Sequence, residues 1–240
     1  AVDCQDVLDS VSGASDGVYW IAPDGSAFEA LCDLGTDDGG WTLLLSADGS
    51  STYWGNNSEY WYSDGSDSTP STLVGDDFHG QAYQDLITDD IRICYQDVDQ
   101  CYTFEHNLGI SLLDFFDTDT MYTEYSSGSY GISDGGSSSS MSDYISDLGL
   151  SSVQSTTCQW LGINNYGATS AIGLMGDWNG GCDGSGYPYH DDLAIGVGLQ
   201  SCYDNNDCYS GGSGHAAGQS RGWNGTDDSG VFGPWYVWGR

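Results

Sequence analysis

Eight cysteines, none in a CxxC pair, constrain this chain more than any other feature: Cys4, Cys32, Cys94, Cys101, Cys158, Cys182, Cys202 and Cys208. An even number without zinc or redox spacing reads as a disulfide framework. Such frameworks form and persist in oxidising compartments, so the expected location is secreted, extracellular or at the cell surface. The local spacings suggest the pairs Cys4–Cys32, Cys94–Cys101, Cys158–Cys182 and Cys202–Cys208, with other connectivities left open. The chain has 240 residues, enough to bury a hydrophobic core. No apolar run approaches the ~18 residues that span a bilayer, so no membrane insertion is expected. The opening Ala1-Val2-Asp3-Cys4 fits a mature N-terminus left by signal-peptide removal and equally a trimmed chain.

Charge comes next in weight. There are 36 acids against three bases, a net charge of −33. The bases are Arg92, Arg221 and Arg240, and there is no lysine. A surface of this sign repels nucleic acid and anionic lipid. Only Glu29, Glu59, Glu105 and Glu124 are glutamate; all other acids are aspartate. Aspartate is a poor helix former but a good turn former and calcium ligand. The acids therefore point to Asp-rich loops, either as adaptation to salt and solubility or, where they cluster, as holders of a hard cation.

Apolar spacing predicts a short helix over 3–12, where Val7, Leu8 and Val11 recur at helical intervals. A strand follows over 17–21. Pro23-Asp24-Gly25 then turns the chain, proline presetting the first corner and glycine taking the positive φ. The partner strand runs over 28–32, and a third strand over 39–45 is entered through Gly39-Gly40. Residues 46–80, with Tyr53, Trp54, Tyr60, Trp61 and Tyr62, read as long loops pinned by aromatics. A helical turn is expected at 82–88 and a hairpin over 91–105, stapled by Cys94–Cys101. Short helices are expected at 111–116 and, weakly, at 141–148, flanking a mobile Gly/Ser-rich loop at 128–142. Strands are expected at 159–163, 171–175 and 193–199. Beyond Gly176 regular structure otherwise nearly disappears. Trp20, Trp41, Trp160, Trp178, Trp223, Trp235 and Trp238 are expected mainly in the core, with Trp178 and Trp223 also placed to line a pocket.

The stretch Gly17-Val-Tyr-Trp-Ile-Ala-Pro-Asp-Gly25, Phe28-Glu-Ala-Leu-Cys-Asp33 and Thr36-Asp-Asp-Gly-Gly-Trp-Thr-Leu43 resembles the opening of fibrinogen-like domains. It is closest in character to the intelectins (X-type lectins) and to bacterial secreted fibrinogen-like proteins. Leu31-Cys32-Asp33 stands for the family's Tyr-Cys-Asp, Asp38 replaces a family glycine, and Cys4 sits where the first disulfide partner sits. The resemblance covers about 45 residues closely. It implies an α+β fibrinogen-like domain over 1–240, disulfide-stapled, with a small N-terminal subdomain (1–45), a central twisted antiparallel sheet (46–175) and a loop-rich C-terminal lobe (176–240) for calcium and recognition. The family's Asp-x-Asp calcium loop has no clean copy.

Four groups are candidate sites. Asp177, Asn179 and Asp183 offer the oxygens that Ca²⁺ requires, six to eight in all, from one glycine-rich loop; the alternative is an Asx-turn loop without metal. Asp204, Asn206 and Asp207 lie between Cys202 and Cys208, and carboxylates so confined repel unless a cation sits between them; the alternative is a solvated hairpin tip. Tyr187, Tyr189, His190 and Asp191, with Trp178 and Trp223, suit sugar stacking and hydroxyl recognition, or simply pack a turn. Asp48 corresponds to a loop that holds a structural calcium in intelectins, or is a plain turn. No GxSxG or HExxH motif is present, carboxylate pairs are too abundant to single one out, and a phosphate loop is impossible without lysine, so no enzyme is expected. The leading reading is a secreted, calcium-dependent, carbohydrate-binding module whose partners are glycans or cell-surface carbohydrate. The alternative is a self-assembling structural subunit of an extracellular fibre, sheath or matrix, whose partner is itself.

Overall fold

The computed structural model describes residues 1–49, 51, 53–55, 58–73, 75–106, 109–117, 146–148, 158–163, 171–177, 193–198, 217–221 and 233–240. Helix α1 (Cys4–Ser10) opens the chain, and the Asp3 carboxylate caps it by accepting from the Asp6 amide. Strand β1 (Gly17–Ile21) turns through Pro23–Gly25 into β2 (Phe28–Asp33), antiparallel, with Trp20 opposite Glu29. The Cys4–Cys32 disulfide ties α1 to β2 across 28 residues of sequence. Around it Val7, Ile21, Ala30 and Leu34 form a small buried cluster.

Strand β3 (Trp41–Asp48) is buried for seven of its eight residues, as expected of a strand covered on both faces. It is entered through a tight turn in which Asp37, Asp38, Gly39 and Gly40 all have positive φ. Gly39 has to be glycine, since a Cβ there would collide with the Leu34 carbonyl, whereas one on Gly40 would displace the end of the Gln5 side chain and strain a positive φ. Asp38 takes the left-handed conformation in place of a glycine, which aspartate tolerates better than most residues.

Two-residue β4 (Phe78–His79) pairs with β3, α2 (Gln81–Asp85) follows, and β5 (Asp90–Tyr95) with β6 (Cys101–Glu105) makes the expected hairpin. Cys94 and Cys101 face each other in register and are disulfide-bonded. Helix α3 (Leu112–Asp117) packs beside the short 3₁₀ turn at Glu59–Tyr62. A second, four-stranded antiparallel sheet comprises β7 (Cys158–Ile163), β8 (Ile172–Asp177), β9 (Leu193–Val197) and β10 (Ala217–Arg221), in the order β10-β9-β8-β7. One row across this sheet is glycine on every strand: Gly162, Gly173, Gly196 and Gly218. At Gly196 a Cβ would run into the Ile172 carbonyl, so this close backbone approach excludes any side chain.

The final strand, β11 (Pro234–Gly239), lies between β3 and β5 and is antiparallel to both, giving the larger sheet the order β1-β2-β3-β11-β5-β6. Regular structure thus returns after Gly176 in β10 and β11, against the expectation of little beyond the strand near 193–199. The main core joins Leu45, Ile91, Ile93, Trp235 and Val237 of the larger sheet to Ile163, Ile172, Ile195 and Val197 of the second. Trp41 and Trp238 are core, 0% and 1% exposed, whereas Trp20 is 64% exposed and not core. Trp20 alternates along β1 with buried Ile21 and stands on the face of the strand that no described residue buries.

Arg92 of β5 is fully buried. Its guanidinium lies 4.7 Å from the Trp41 ring and 5.2 Å from the Trp238 ring, and it bonds the buried Asp33 carboxylate. Replacing Arg92 with alanine leaves Asp33 charged, buried and unpaired, so Arg92→Ala is expected to cost about 3–5 kcal/mol in urea unfolding. The double variant Arg92→Met/Asp33→Asn removes both charges and is expected to recover a clear part of that loss; equal destabilisation in the two variants would show that the ion pair is not the cause.

Candidate functional site

Of the residues singled out as metal or ligand candidates, Asp48 is placed most fully. It closes β3, and its amide donates to Asp77 Oδ1 at 3.0 Å. The turn that follows is closed by the Ser51 amide on the Asp48 carbonyl, and the Gly49 amide donates to the Gly233 carbonyl beside β11. Ser46 Oγ donates to the Asp76 carbonyl. The pairing of β4 with β3 therefore brings Asp76 and Asp77 against Asp48 from almost thirty residues away. Burial pushes the Asp77 carboxyl up; bonds from Ser51 and the Asp48 amide oppose this, while the Asp48 and Asp76 charges add to it. Tyr53 stands close by, its phenol pushed up to about 12 by burial first and then by Asp67, Tyr60 and Asp77. Sequence reasoning missed Asp76 and Asp77. The adjacent acids were visible, but only long-range strand pairing brings them to Asp48.

This corner is held by aromatic side chains, as expected for 46–80. Tyr53 stacks on Tyr60 with centroids 3.5 Å apart, and Trp54 packs edge-on against Trp61 and His79. The Trp54 indole N–H donates to the Ser46 carbonyl and the Trp61 N–H to the Gly55 carbonyl, while the Tyr83 hydroxyl donates to the Trp61 carbonyl. The buried Trp54, Trp61 and Tyr83 polar atoms thereby have their partners. Chemically the corner offers a carboxylate-rich surface backed by rigid rings. Among the described residues no three His, Cys, Asp or Glu side chains converge well enough to hold a metal ion. Asp48, Asp76 and Asp77 thus form an acidic corner rather than a complete coordination shell.

Asp177 is the last residue of β8, directly opposite Cys158 of β7. Trp178, Asn179, Asp183, Tyr187, Tyr189, His190, Asp191, Asp204, Asn206, Asp207 and Trp223 lie outside the described residues. So do Cys182, Cys202 and Cys208, and with them two of the expected disulfides, as well as the Gly/Ser-rich segment at 128–142. Among the described residues no helix is long and apolar enough to cross a membrane.

These elements define a disulfide-stapled α+β domain whose N-terminal hairpin and C-terminal strand share one antiparallel sheet. The family model for the C-terminal globular domain of the fibrinogen beta and gamma chains matches residues 1–127, just over half of the sequence, and the protein belongs to that family. Members of the family are in general not enzymes, and they commonly mediate ligand recognition. The chain is 38% identical over 81 residues to fibrinogen-like protein A of Apostichopus parvimensis, a match covering 32% of this chain and 29% of that relative, so it spans under a third of the relative's length. Among solved structures it is similar to the lamprey fibrin D-dimer complexed with the peptide ligand Gly-His-Arg-Pro-amide, at 23% identity and a TM-score of 0.32 over 43% of this chain and 34% of that one.

His79, 1% exposed, sits between the Trp54 and Tyr83 rings with Nε2 unbonded. Burial pushes its pKa down to about 4, against a smaller upward pull from Asp67. The folded state thus resists a proton that the unfolded chain accepts near its ordinary 6.5. Stability from the neutral ring is complete above about pH 6.5 and is lost as pH falls toward 4, up to about 3 kcal/mol. Urea unfolding at several pH values is expected to show a shallower acid loss in His79→Phe than in the parent. Superimposable pH profiles would rule the histidine out.

Proposed function

We propose that this is an extracellular, calcium-dependent, carbohydrate-binding module, and that the finer resemblance to intelectins reflects that role. The observation that carries the reading is the end of β8. A sheet strand delivers Asp177 into a segment rich in Asp, Asn, Gly and aromatic residues, where Asn179, Asp183, Asp204, Asn206 and Asp207 follow. Ca²⁺ takes six to eight oxygens at flexible geometry, which acid and amide side chains of one loop region can supply. A calcium held there with open positions accepts two neighbouring hydroxyls of a sugar ring. Tyr187, Tyr189, Trp178 and Trp223 then supply flat apolar faces for the sugar's C–H surface. The disulfides and the family support an extracellular location.

Glycan-array binding in calcium and again in EDTA tests the proposal. Binding to a defined glycan class is expected, lost on chelation and lost in Asp177→Asn with the fold intact by circular dichroism. Binding that survives EDTA unchanged sinks the calcium mechanism. Absence of glycan binding, together with very large uniform particles that dissolve in EDTA, would make the protein a structural subunit instead.

A further inference from the structure

Along the outer edge of β1 edge protection lapses among the described residues. Just past its end the Ala22 amide donates to the Ala1 carbonyl. The half of β2 that β3 does not pair is covered at Glu29, whose carbonyl accepts from Thr69 Oγ1, and β3 gains the two residues of β4. Among the described residues β1 has β2 on one side and no strand on the other. Its sequence, Gly17-Val-Tyr-Trp-Ile21, holds no charge, no proline and no bulge, the devices that normally blunt an edge. Trp20 is the most exposed large apolar side chain among the described residues, at 64%, and exposed Val2 precedes the helix that packs on this hairpin. Directly across from Trp20 stands exposed Glu29, and exposed Asp16 and Asp24 flank the two ends of the strand.

We propose that this edge takes up an extended, basic segment of another polypeptide as an added strand, with Trp20 as its anchor. Strand addition supplies main-chain hydrogen bonds, and alternate side chains supply the specificity. An arginine or lysine at the position facing Trp20 lies over the indole and beside the Glu29 carboxylate, gaining a cation–π contact and an ion pair together. The sign of the partner follows from the chain's own charge. With 36 acids and three arginines, a second copy brings the same net −33 to the contact. The chain has almost no basic residue to offer from within. Arg92 is buried and Arg240 is bonded to Asp90 and to the turn at Asp37–Gly39, which leaves only Arg221. The complementary charge therefore comes from a different molecule.

The test uses a capped peptide of alternating arginine and valine, about nine residues long, and the same peptide N-methylated at alternate amides. Titration calorimetry and amide hydrogen exchange are read on the full chain. Expected are binding that weakens with added salt, new protection confined to residues 17–21, and about tenfold or greater weakening in Trp20→Ala, as for an aromatic anchor. Glu29→Gln is expected to weaken binding about threefold, as for an exposed charge pair. Both positions are exposed, and unchanged thermal unfolding confirms that the variants are folded. Equal binding of the N-methylated peptide overturns the proposal, since it retains the charge but cannot pair as a strand. Indifference to Trp20→Ala, protection elsewhere, or concentration-dependent protection of 17–21 without peptide overturns it as well, the last by showing that the partner is a second copy. None of these readouts depends on calcium or glycan, so failure here and failure of the lectin reading are separable.

Discussion

Two guanidinium groups against one indole organise the larger sheet. Arg92 lies 4.7 Å from the Trp41 ring, and Arg240 stands 4.2 Å from the same ring. A buried arginine is costly unless its charge and its N–H groups are met. Here Asp33 of β2 meets one end, the Thr36 carbonyl and the Asp37 carboxylate approach the other, and Trp238 of β11 gives a second aromatic face. Arg240 closes the set by bonding the Asp37 and Gly39 carbonyls and the Asp90 carboxylate. The left-handed turn at 37–40 is shaped so that its carbonyls point at these cations, and the Trp41 N–H donates into the same turn at the Asp37 carbonyl. This gives Asp37-Asp-Gly-Gly-Trp41 a physical reason: glycines where a Cβ would collide or strain the turn, an acid for the cation, and an indole for the cation to lie on.

The cluster also fixes the order in which the sheet can be completed. Its members come from β2, β3, β5 and β11, so the first fifty residues and the last seven meet at one point. β11 fills the slot between β3 and β5, which are otherwise not neighbours. Until the C-terminus is in place, β3 and β5 have no common partner and Arg92 lacks the Trp238 face. Non-local closure of this kind is slow, because loop entropy is lost before contacts are gained. The two described disulfides act locally by comparison. Cys4–Cys32 secures the N-terminal hairpin to its helix and Cys94–Cys101 secures β6 to β5, and neither spans the long connection that β11 must close.

What the sequence shows and hides follows the same division between local and distant. β1, β2 and the β5–β6 hairpin are legible because alternation, turn residues and a short cysteine spacing all act over a few residues. The glycines before Trp41 are legible as a tight entry. β11 is not, since Pro234-Trp-Tyr-Val-Trp-Gly is a continuous apolar run that a central strand and an unstructured aromatic tail share. β10, Ala217-Gly-Gln-Ser-Arg, has no apolar alternation at all and exists as a strand through its pairing with β9. Trp20 shows the converse limit: alternation gives the strand correctly, but not which of its faces the core covers. At the candidate site, Asp48 was readable as a loop residue just past the third strand, which in fact runs on to it, while Asp76 and Asp77 reach it only through the pairing of β4.

Surface charge and core charge answer each other in this protein. Arg92 is enclosed by the core and Arg240 is bound at its rim, and the sequence holds one further arginine against 36 acids, so charge of one sign dominates. A surface of one sign cannot recognise a neutral ligand or a like-charged neighbour by charge alone; a cation has to stand between them or arrive with the partner. The two proposals, calcium in acid-rich loops and a basic strand on β1, are two answers to that single requirement, and each ties recognition to a condition outside the molecule, calcium level in one case and ionic strength in the other. Within the larger sheet the same arrangement pairs buried Asp33 with Arg92 and partly buried Asp90 with Arg240.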